Sequence, residues 1–481
     1  MTLSSALNTA TSSLAATQTQ TAIVSRNVAN VNAAGATRKY ANVVTGMDGR
    51  VEVRSVSQSQ NSALFRNMLD TTSAVQASSV VAGGLDRISE VIGDTDAAGS
   101  PAALVAKLSD ALQTYATTPG NQGFASAAVS AAQNLATGLN QASTTVDQIR
   151  RDADDELSLA ADDMNKILGN IETLNRRIVS GTIGGTDVTD EVDKRDIEIA
   201  KLATYVGVNV QSRGDNDVVI YTDSGVTMFD RTARPVEFAK TYPLAPGQTG
   251  NVLRIDGTVV TGDNAYMGIS TGKVAGLVEL RDKATVTFQA QLDAVAGGLI
   301  AAFAETHTVA GTQTAGVFTD ASFTGNLVTA ADLAKPGLAG RISVAAAVIA
   351  DPSKIRDGVD PTADAMAGSG AAGFSGRILK LQTALNAERT FTAAGADPKG
   401  SIAVFAASSM GWLQAQRAEK TADTDYQRTL LEKTQTTLSN ETGIDLNTEL
   451  THLLDLQRSF QASSKIISTV DQMMAALLQS I

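Results

Sequence analysis

The run GIDLNTELTHLLDLQRSFQASSKIISTVDQMMAALLQSI, residues 443–481, places apolar side chains at every third or fourth position: Leu446, Leu450, Leu453, Phe460, Ile466, Ile467, Val470, Met473, Met474, Leu477 and Leu478. That is the stripe of an amphipathic helix, which buries one face against another helix. A chain end frays unless something ties it down, so this helix is expected to have a partner. Residues 3–31 supply one. A heptad laid over them puts Leu3, Ala10, Thr17, Val24 and Val31 at one seam position and Leu7, Leu14, Thr21 and Val28 at the other. This is coiled-coil spacing. The seam is thin, because Ala10, Thr17 and Thr21 bury little apolar area. Such a pair gains firmness when many copies pack together. The assembly interface expected from this pattern is Leu3, Leu7, Leu14, Val24, Val28, Val31, Leu450, Phe460, Ile467, Val470, Met474 and Leu478.

Between the two ends the period changes twice. Helical spacing resumes near Ser62 and runs to Ile92, after an extended excursion from Tyr40 to Gln58. Pro101 opens a further helix, which Pro119-Gly120 breaks, and Asn121 to Ser180 reads as one long helix ending at a glycine cluster. A shorter helix spans 187–205. VGVNV, DVVIYT, GVTMF, RPVEFA and VLRIDGTVV then follow as short β-rich runs separated by Gly, Asp and Asn turns. Helix returns from Lys273 to His307, Gly311 to Gly340 reads as loop, ISVAAAVI from Ile342 as a strand or a packed extended segment, and Ser401 to Glu441 as the last long helix. The predicted fold class is mainly α with an inserted β domain. It has three parts: a terminal coiled coil (1–40 and 443–481), an elongated helical bundle (41–205 and 273–442, with an irregular segment at 308–350), and an outer β domain (206–272). An insertion whose ends lie close together is expected to tolerate removal.

Composition sets outer limits. The chain has 481 residues, enough for two or three domains. Aromatics at 4% argue against large aromatic cores, and a net charge of −12 argues against a nucleic-acid binder, which needs a basic face. There is no cysteine, so disulfides and thiolate chemistry are excluded. The first charged side chain is Arg26, which leaves no basic n-region for a cleavable signal peptide. The longest apolar run, 294–304, is too short to span a bilayer, and no membrane insertion is expected.

Chemical motifs are sparse, and no catalytic residue, cofactor or metal site is expected. The two histidines, His307 and His452, both fall on predicted helices with no ligand spacing around them. GSGAAG at 368–373 has the spacing of a dinucleotide fingerprint but follows loop rather than a strand. Asp154, Asp155, Glu156, Asp162 and Asp163 read as a solvated acidic face, and Trp412 as a core or interface anchor.

SRNVANVNAAGATRKYANV (25–43) resembles the signature that follows the first helix in axial proteins of the bacterial flagellum, with Asn27, Ala29, Asn30 and Gly35 keeping the pattern and Arg26 replacing its first Asn. The GIDL, LQRSFQAS and KIISTVDQM runs resemble that family's terminal helix. MNKILGNIETLNRRI (164–178), then Asp193, Arg195 and Asp196, and GKVAGLVELRD (272–282) resemble the hook-filament junction branch of the family. From the residues alone, Asp193, Arg195 and Asp196 could equally form an exposed salt-bridged helix face.

The resemblance implies a structural, non-enzymatic subunit of the extracellular flagellum. It would join hook to filament as a self-assembling helical ring, after type III export without a cleavable signal peptide. The partners implied are further copies of itself, hook protein, a second junction protein and a cytoplasmic export chaperone masking Ile467, Val470, Met474 and Leu478. Hook protein or another axial component is the alternative within the family. A secreted enzyme on the same scaffold, or a coiled-coil adhesin, is the alternative outside it.

Overall fold

The computed structural model describes residues 3–47, 49–93, 97–307, 311–323, 327–360, 363 and 371–479. Helix α1 (Leu3–Asn30) leads into a hairpin of β1 (Lys39–Thr45) and β2 (Val51–Gln58). Helices α2 (Ser62–Ile92), α3 (Pro101–Thr117), α4 (Gln122–Ile183) and α5 (Thr189–Tyr205) follow. Strands β3 (Val208–Ser212), β4 (Val218–Thr222), β5 (Thr227–Asp230) and β6 (Thr232–Ala233) form one antiparallel sheet in sequential order. Strands β7 (Val236–Glu237), β8 (Arg254–Ile255) and β9 (Thr258–Val259) form a second.

Helix α6 (Lys273–Glu279) continues through a π turn at Leu280–Ala284 into α7 (Thr285–Phe303). Short pieces come next: β10 (Glu305–Thr306), β11 (Gln313–Thr314), β12 (Phe318–Asp320), α8 (Ala330–Leu333), β13 (Ile342–Val344), α9 (Ala346–Ala350), α10 (Lys354–Asp357), α11 (Gly376–Asn386), β14 (Arg389–Thr390) and β15 (Lys399–Gly400). Helices α12 (Ile402–Thr442) and α13 (Leu446–Gln479) complete the chain.

The helix boundaries follow their caps. The Asn61 side chain accepts from Ala63 N and Leu64 N to start α2, the Ser100 hydroxyl accepts from Ala103 N ahead of Pro101, and Asn121 accepts from Gly123 N and Phe124 N to start α4. The mainly helical fold with a β insert is the one expected from the periodicities. Three local expectations need correction. Gly311–Gly340 is not all loop, since β11, β12 and α8 lie within it, and the segment from Ile342 is the expected strand only as far as Val344, after which it turns into α9. The strand β13 completes a ladder with β12, registering Phe318 with Val344, which a reading of local composition misses. His307 lies just past β10, off any helix.

Helices α2 and α12 run antiparallel: Asn61 at the start of α2 donates to Glu441 near the end of α12 at 2.8 Å, and Gln414 donates to Ser89 at 3.0 Å near the opposite ends. The later part of α2 and the start of α12 pack with α3, the first part of α4, α7 and α11 around one apolar core, including Leu85, Leu108, Leu135, Phe288, Leu299 and Phe405. Helix 273–303 is long and apolar enough to cross a membrane, yet 67% of its apolar window is enclosed by this protein. Trp412 is half-buried and stacks on Phe288 at 6.4 Å.

A second core joins the later part of α4 to the strands. Leu157, Met164, Leu168 and Ile171 of α4 share it with Ile220, Met228, Phe229 and Ile255. Removing the strands would therefore strip the apolar face of the helices beneath them. The ease of removal expected of an insertion does not fit this shared core.

Helix α6 crosses α2 through glycine. A Cβ at Gly276 would stand 2.5 Å from Ala77 O and 3.1 Å from Ala77 Cα, both backbone atoms. Gly276→Val is expected to destabilise the body by about 1–3 kcal/mol through forced separation of the two helices. Gly83→Ala, whose Cβ would meet nothing within 4 Å in the middle of α2, is expected to stabilise it by about 0.5–1 kcal/mol. Thermal unfolding of the two variants should move in opposite directions.

Candidate functional site

Helices α1 and α13 pack as an antiparallel pair. Asn27 meets Glu449, and the Ser13 and Ser463 hydroxyls lie 3.4 Å apart, so positions rise on one helix as they fall on the other. Helix α1 buries Ala10, Ala16, Thr17, Ile23, Val24 and Asn27, whereas α13 buries Glu449, Leu456, Ser463 and Val470. The α13 residues recur at heptad spacing. Among the interface residues expected from sequence, Val24 and Val470 are buried and Leu3, Leu7, Leu14, Val28, Val31 and Ile467 are half-buried. Leu450, Phe460, Met474 and Leu478 are exposed.

The apolar residues of α13 thus divide into a seam against α1 and rows that α1 leaves uncovered. Leu446, Leu450, Leu454, Ile466, Met473 and Leu477 are each between 41% and 53% exposed. The four residues proposed for a chaperone also divide, because Val470 faces α1 while Met474 and Leu478 face solvent.

At the base of the pair the packing becomes polar. The Asn27 amide donates to Lys39 O at 2.8 Å and to Glu449 Oε2 at 3.0 Å, and its oxygen accepts from Lys39 N at 3.1 Å. Arg38 Nε donates to Glu449 Oε1 at 2.6 Å, and Arg38 N donates to Thr442 O at 2.8 Å. The Lys39 ammonium, 2% exposed, lies 2.6 Å from Asp190 and 2.8 Å from Asp193. Asp193 also accepts from Thr37 N at 3.2 Å and Thr37 Oγ1 at 2.7 Å. Arg26 pairs with Asp187 at 2.8 Å.

One polar cluster therefore ties the end of α1, the start of β1, the start of α13 and the start of α5. Burial alone would lower the Lys39 pKa, but hydrogen bonds to Asp190 and Asp193 outweigh it and leave it raised. Of the remaining motif residues, Gly35 has φ of 78°, and a Cβ there would stand 2.7 Å from Ile197. The turn after α1 thus needs glycine to sit against α5. Ala29 is exposed, and the Asn30 carbonyl accepts from Ala33 N at 2.9 Å.

Asp193, Arg195 and Asp196 do not form an exposed salt-bridged face. Asp193 and Arg195 are buried. Arg195 Nη1 donates to Asn175 Oδ1 at 3.0 Å and to Asn216 O at 2.6 Å, which fixes α5 to α4 and to the turn before β4. The Asp196 carboxyl is pushed up to about 6, by burial first and by the nearby Asp193 charge, against the pull of Arg195.

The acidic run on α4 is likewise not all solvated. Asp155 and Asp162 are exposed, but Asp154 is buried in a 2.5 Å ion pair with Arg281. Arg281 also pairs with Asp282 at 2.7 Å and donates to Asn251 O at 2.9 Å. Arg150 donates to Arg281 O at 3.1 Å and to Ala245 O at 3.2 Å. These two arginines pin the loop between β7 and β8 to α4 and the π turn.

Sequence reasoning missed Arg38, Lys39, Glu449, Arg150 and Arg281. Glu449 alone left a trace, as a charge seven residues before Leu456 on a seam that is otherwise apolar or small. Of the GSGAAG run, Gly368 to Gly370 lie outside the described residues. Among the described residues no group of His, Asp or Glu is placed to hold a metal ion.

Two family descriptions match the chain. That of the flagellar hook-associated protein FlgK helical domain covers residues 85–322, and that of the flagellar basal body rod FlgEFG protein C-terminal region covers residues 437–480. Flagellar hook-associated protein 1 of Bacillus subtilis is 24% identical, over 97% of this chain and 96% of its own length. That of Escherichia coli is 26% identical over 58% of this chain, and the match spans 53% of that protein's length. The solved flagellar hook junction protein FlgK from Burkholderia pseudomallei shares the fold, with a TM-score of 0.58 at 12% identity, over 77% of this chain and 99% of that one.

Asp196 makes the body's stability depend on pH. Its pKa rises from 3.8 to about 6 on folding, so the stability it contributes is full below 3.8 and is lost as pH rises through 6. Asp196→Asn removes that loss. It is expected to raise stability at pH 7.5 by about 1–2 kcal/mol, the full effect of a two-unit shift being reduced by partial solvent contact, and to give no gain at pH 4. Denaturant unfolding at the two pH values measures this, and an equal effect at both would contradict it.

Proposed function

Because this chain belongs to the flagellar hook-associated protein 1 family, we propose that it is a structural subunit of the bacterial flagellum that joins hook to filament. In this reading copies of the chain pack into a helical ring through the α1/α13 pair. The helical body supplies stiffness and the strands between Val208 and Val259 face outward. The corresponding division is a terminal pair (1–40 and 443–481), a helical body (41–205 and 273–442) and a β segment (206–272).

The observation that carries this reading is the apolar surface of α13 that α1 leaves uncovered. An amphipathic helix with its apolar flanks in water is half of a contact. The seam it does make has Ile23, Val24, Leu456 and Val470 as its large buried apolar side chains, the rest being small or polar, such as Ala10, Thr17 and Ser463, which contribute little burial. Packing against neighbouring copies would cover Leu450, Phe460 and Ile466 and add the missing area.

The neighbours would be hook protein on one side and a second junction protein on the other, outside the cell after export without a cleaved leader. Before assembly the exposed rows are an aggregation hazard, so a cytoplasmic chaperone is a reasonable partner. Ile467, Met474 and Leu478 would be accessible to it directly, and Val470 only once α1 has moved aside. The role is one of geometry rather than catalysis.

Leu450→Glu combined with Ile466→Glu places charge on the uncovered rows without touching the seam. Surface changes of this kind are expected to leave the body's stability within about 0.5 kcal/mol of the parent. The variant should fail to restore swimming to a strain lacking this protein, with filament subunits shed into the medium. Full restoration of attached filaments would contradict the proposed surface.

A further inference from the structure

We propose that Glu449 sets the register of the terminal helix pair, acting through Asn27 and Arg38. The seam itself has little power to choose a register. On α13, Leu456, Ser463 and Val470 follow one another at heptad spacing, facing Ala10, Thr17 and Val24 at the same spacing on α1. Because both faces repeat at the same spacing, a slip of one heptad still lays one seam against the other, so the apolar area buried changes little.

Glu449 breaks this degeneracy. It occupies the next seam position, is 1% exposed, and carries a carboxylate whose two oxygens are both engaged, Oε1 by Arg38 Nε at 2.6 Å and Oε2 by the Asn27 amide at 3.0 Å. Slipping α13 by one heptad in either direction removes Asn27 and Arg38 from its reach. A carboxylate buried without partners is strongly disfavoured. A single polar seam residue fixing register at some expense of stability is a known behaviour of coiled coils. Here the same residue also links the register to the body, because Asn27 and Arg38 flank Lys39, which is held by Asp190 and Asp193 of α5. The chosen register is the one in which α13 leaves α12 at Gly443 with Arg38 N bonded to Thr442 O.

Disulfide trapping in the full-length chain tests this, and the absence of native cysteine leaves no competing thiol. Ser13→Cys is paired in turn with Ser463→Cys, the native register, and with Leu456→Cys or Val470→Cys, one heptad to either side. Each pair is made with Glu449 intact and with Glu449→Leu, so the effect of removing a seam residue cancels between backgrounds. Oxidation is run on dilute protein, and intrachain products are separated from dimers by gel mobility.

With Glu449 the native pair should exceed either slipped pair by at least about tenfold. With Glu449→Leu all three should form to within a few-fold of one another, while Glu449→Gln, which keeps the shape and can still meet Asn27, should retain a preference for the native pair. The proposal is overturned if Glu449→Leu keeps the tenfold preference, or if the slipped pairs form freely with Glu449 intact. Loss of all three cross-links in Glu449→Leu would also overturn it, since Glu449 would then hold the pair together rather than choose its register.

Discussion

A lysine ammonium enclosed between two aspartates governs how the parts of this molecule are joined. Lys39 starts the hairpin after α1, and Asp190 and Asp193 stand on the first turns of α5, at 2.6 Å and 2.8 Å from its nitrogen. Around that pair, Asn27 and Arg38 reach Glu449 on α13, and Thr37 reaches Asp193. Elements from both ends of the chain and from its middle meet within one hydrogen-bonded cluster. Buried charges of this kind contribute little net stability against an apolar alternative, but losing one partner is strongly destabilising. They therefore specify an arrangement more than they strengthen it.

That division of labour runs through the structure. The body is held by two apolar cores, with Leu, Ile and Phe side chains at or near zero exposure. The terminal pair is held by small residues with Ile23, Leu456 and two valines among them, and leaves large apolar groups such as Leu450, Phe460 and Ile466 facing outward. A subunit whose body is firm and whose terminal pair is incomplete suits an assembly in which neighbours finish the packing. The pinned loop between β7 and β8, held by Arg150 and Arg281, makes the β segment part of the firm body rather than an appendage.

The periodicity of the sequence made the long elements legible. The stripes of α4, α12 and α13 are long enough for helical spacing to be unmistakable, and the Asn and Ser caps mark where helices begin. What could not be read were contacts between residues far apart in the chain. By local spacing Asp154 is one of several acids on a helix face, and only the fold brings Arg281 opposite it. Asp193 and Arg195 carried the family pattern, but their burial depends on Lys39 and Asn175, which no local spacing reveals. The stripe of α13 was visible, but not which of its residues α1 covers. That depends on a register chosen by one glutamate.

The most direct test of this account is a double-mutant cycle on Lys39→Met and Asp193→Leu, read by hydrogen exchange of the α1 and α13 amides. The account predicts that each single change speeds exchange in the terminal pair, and that the double change costs less than the sum, with a coupling of about 1–3 kcal/mol. Strictly additive effects, or exchange in the pair that ignores both changes, would contradict the claim that this buried ion pair anchors the terminal helices to the body.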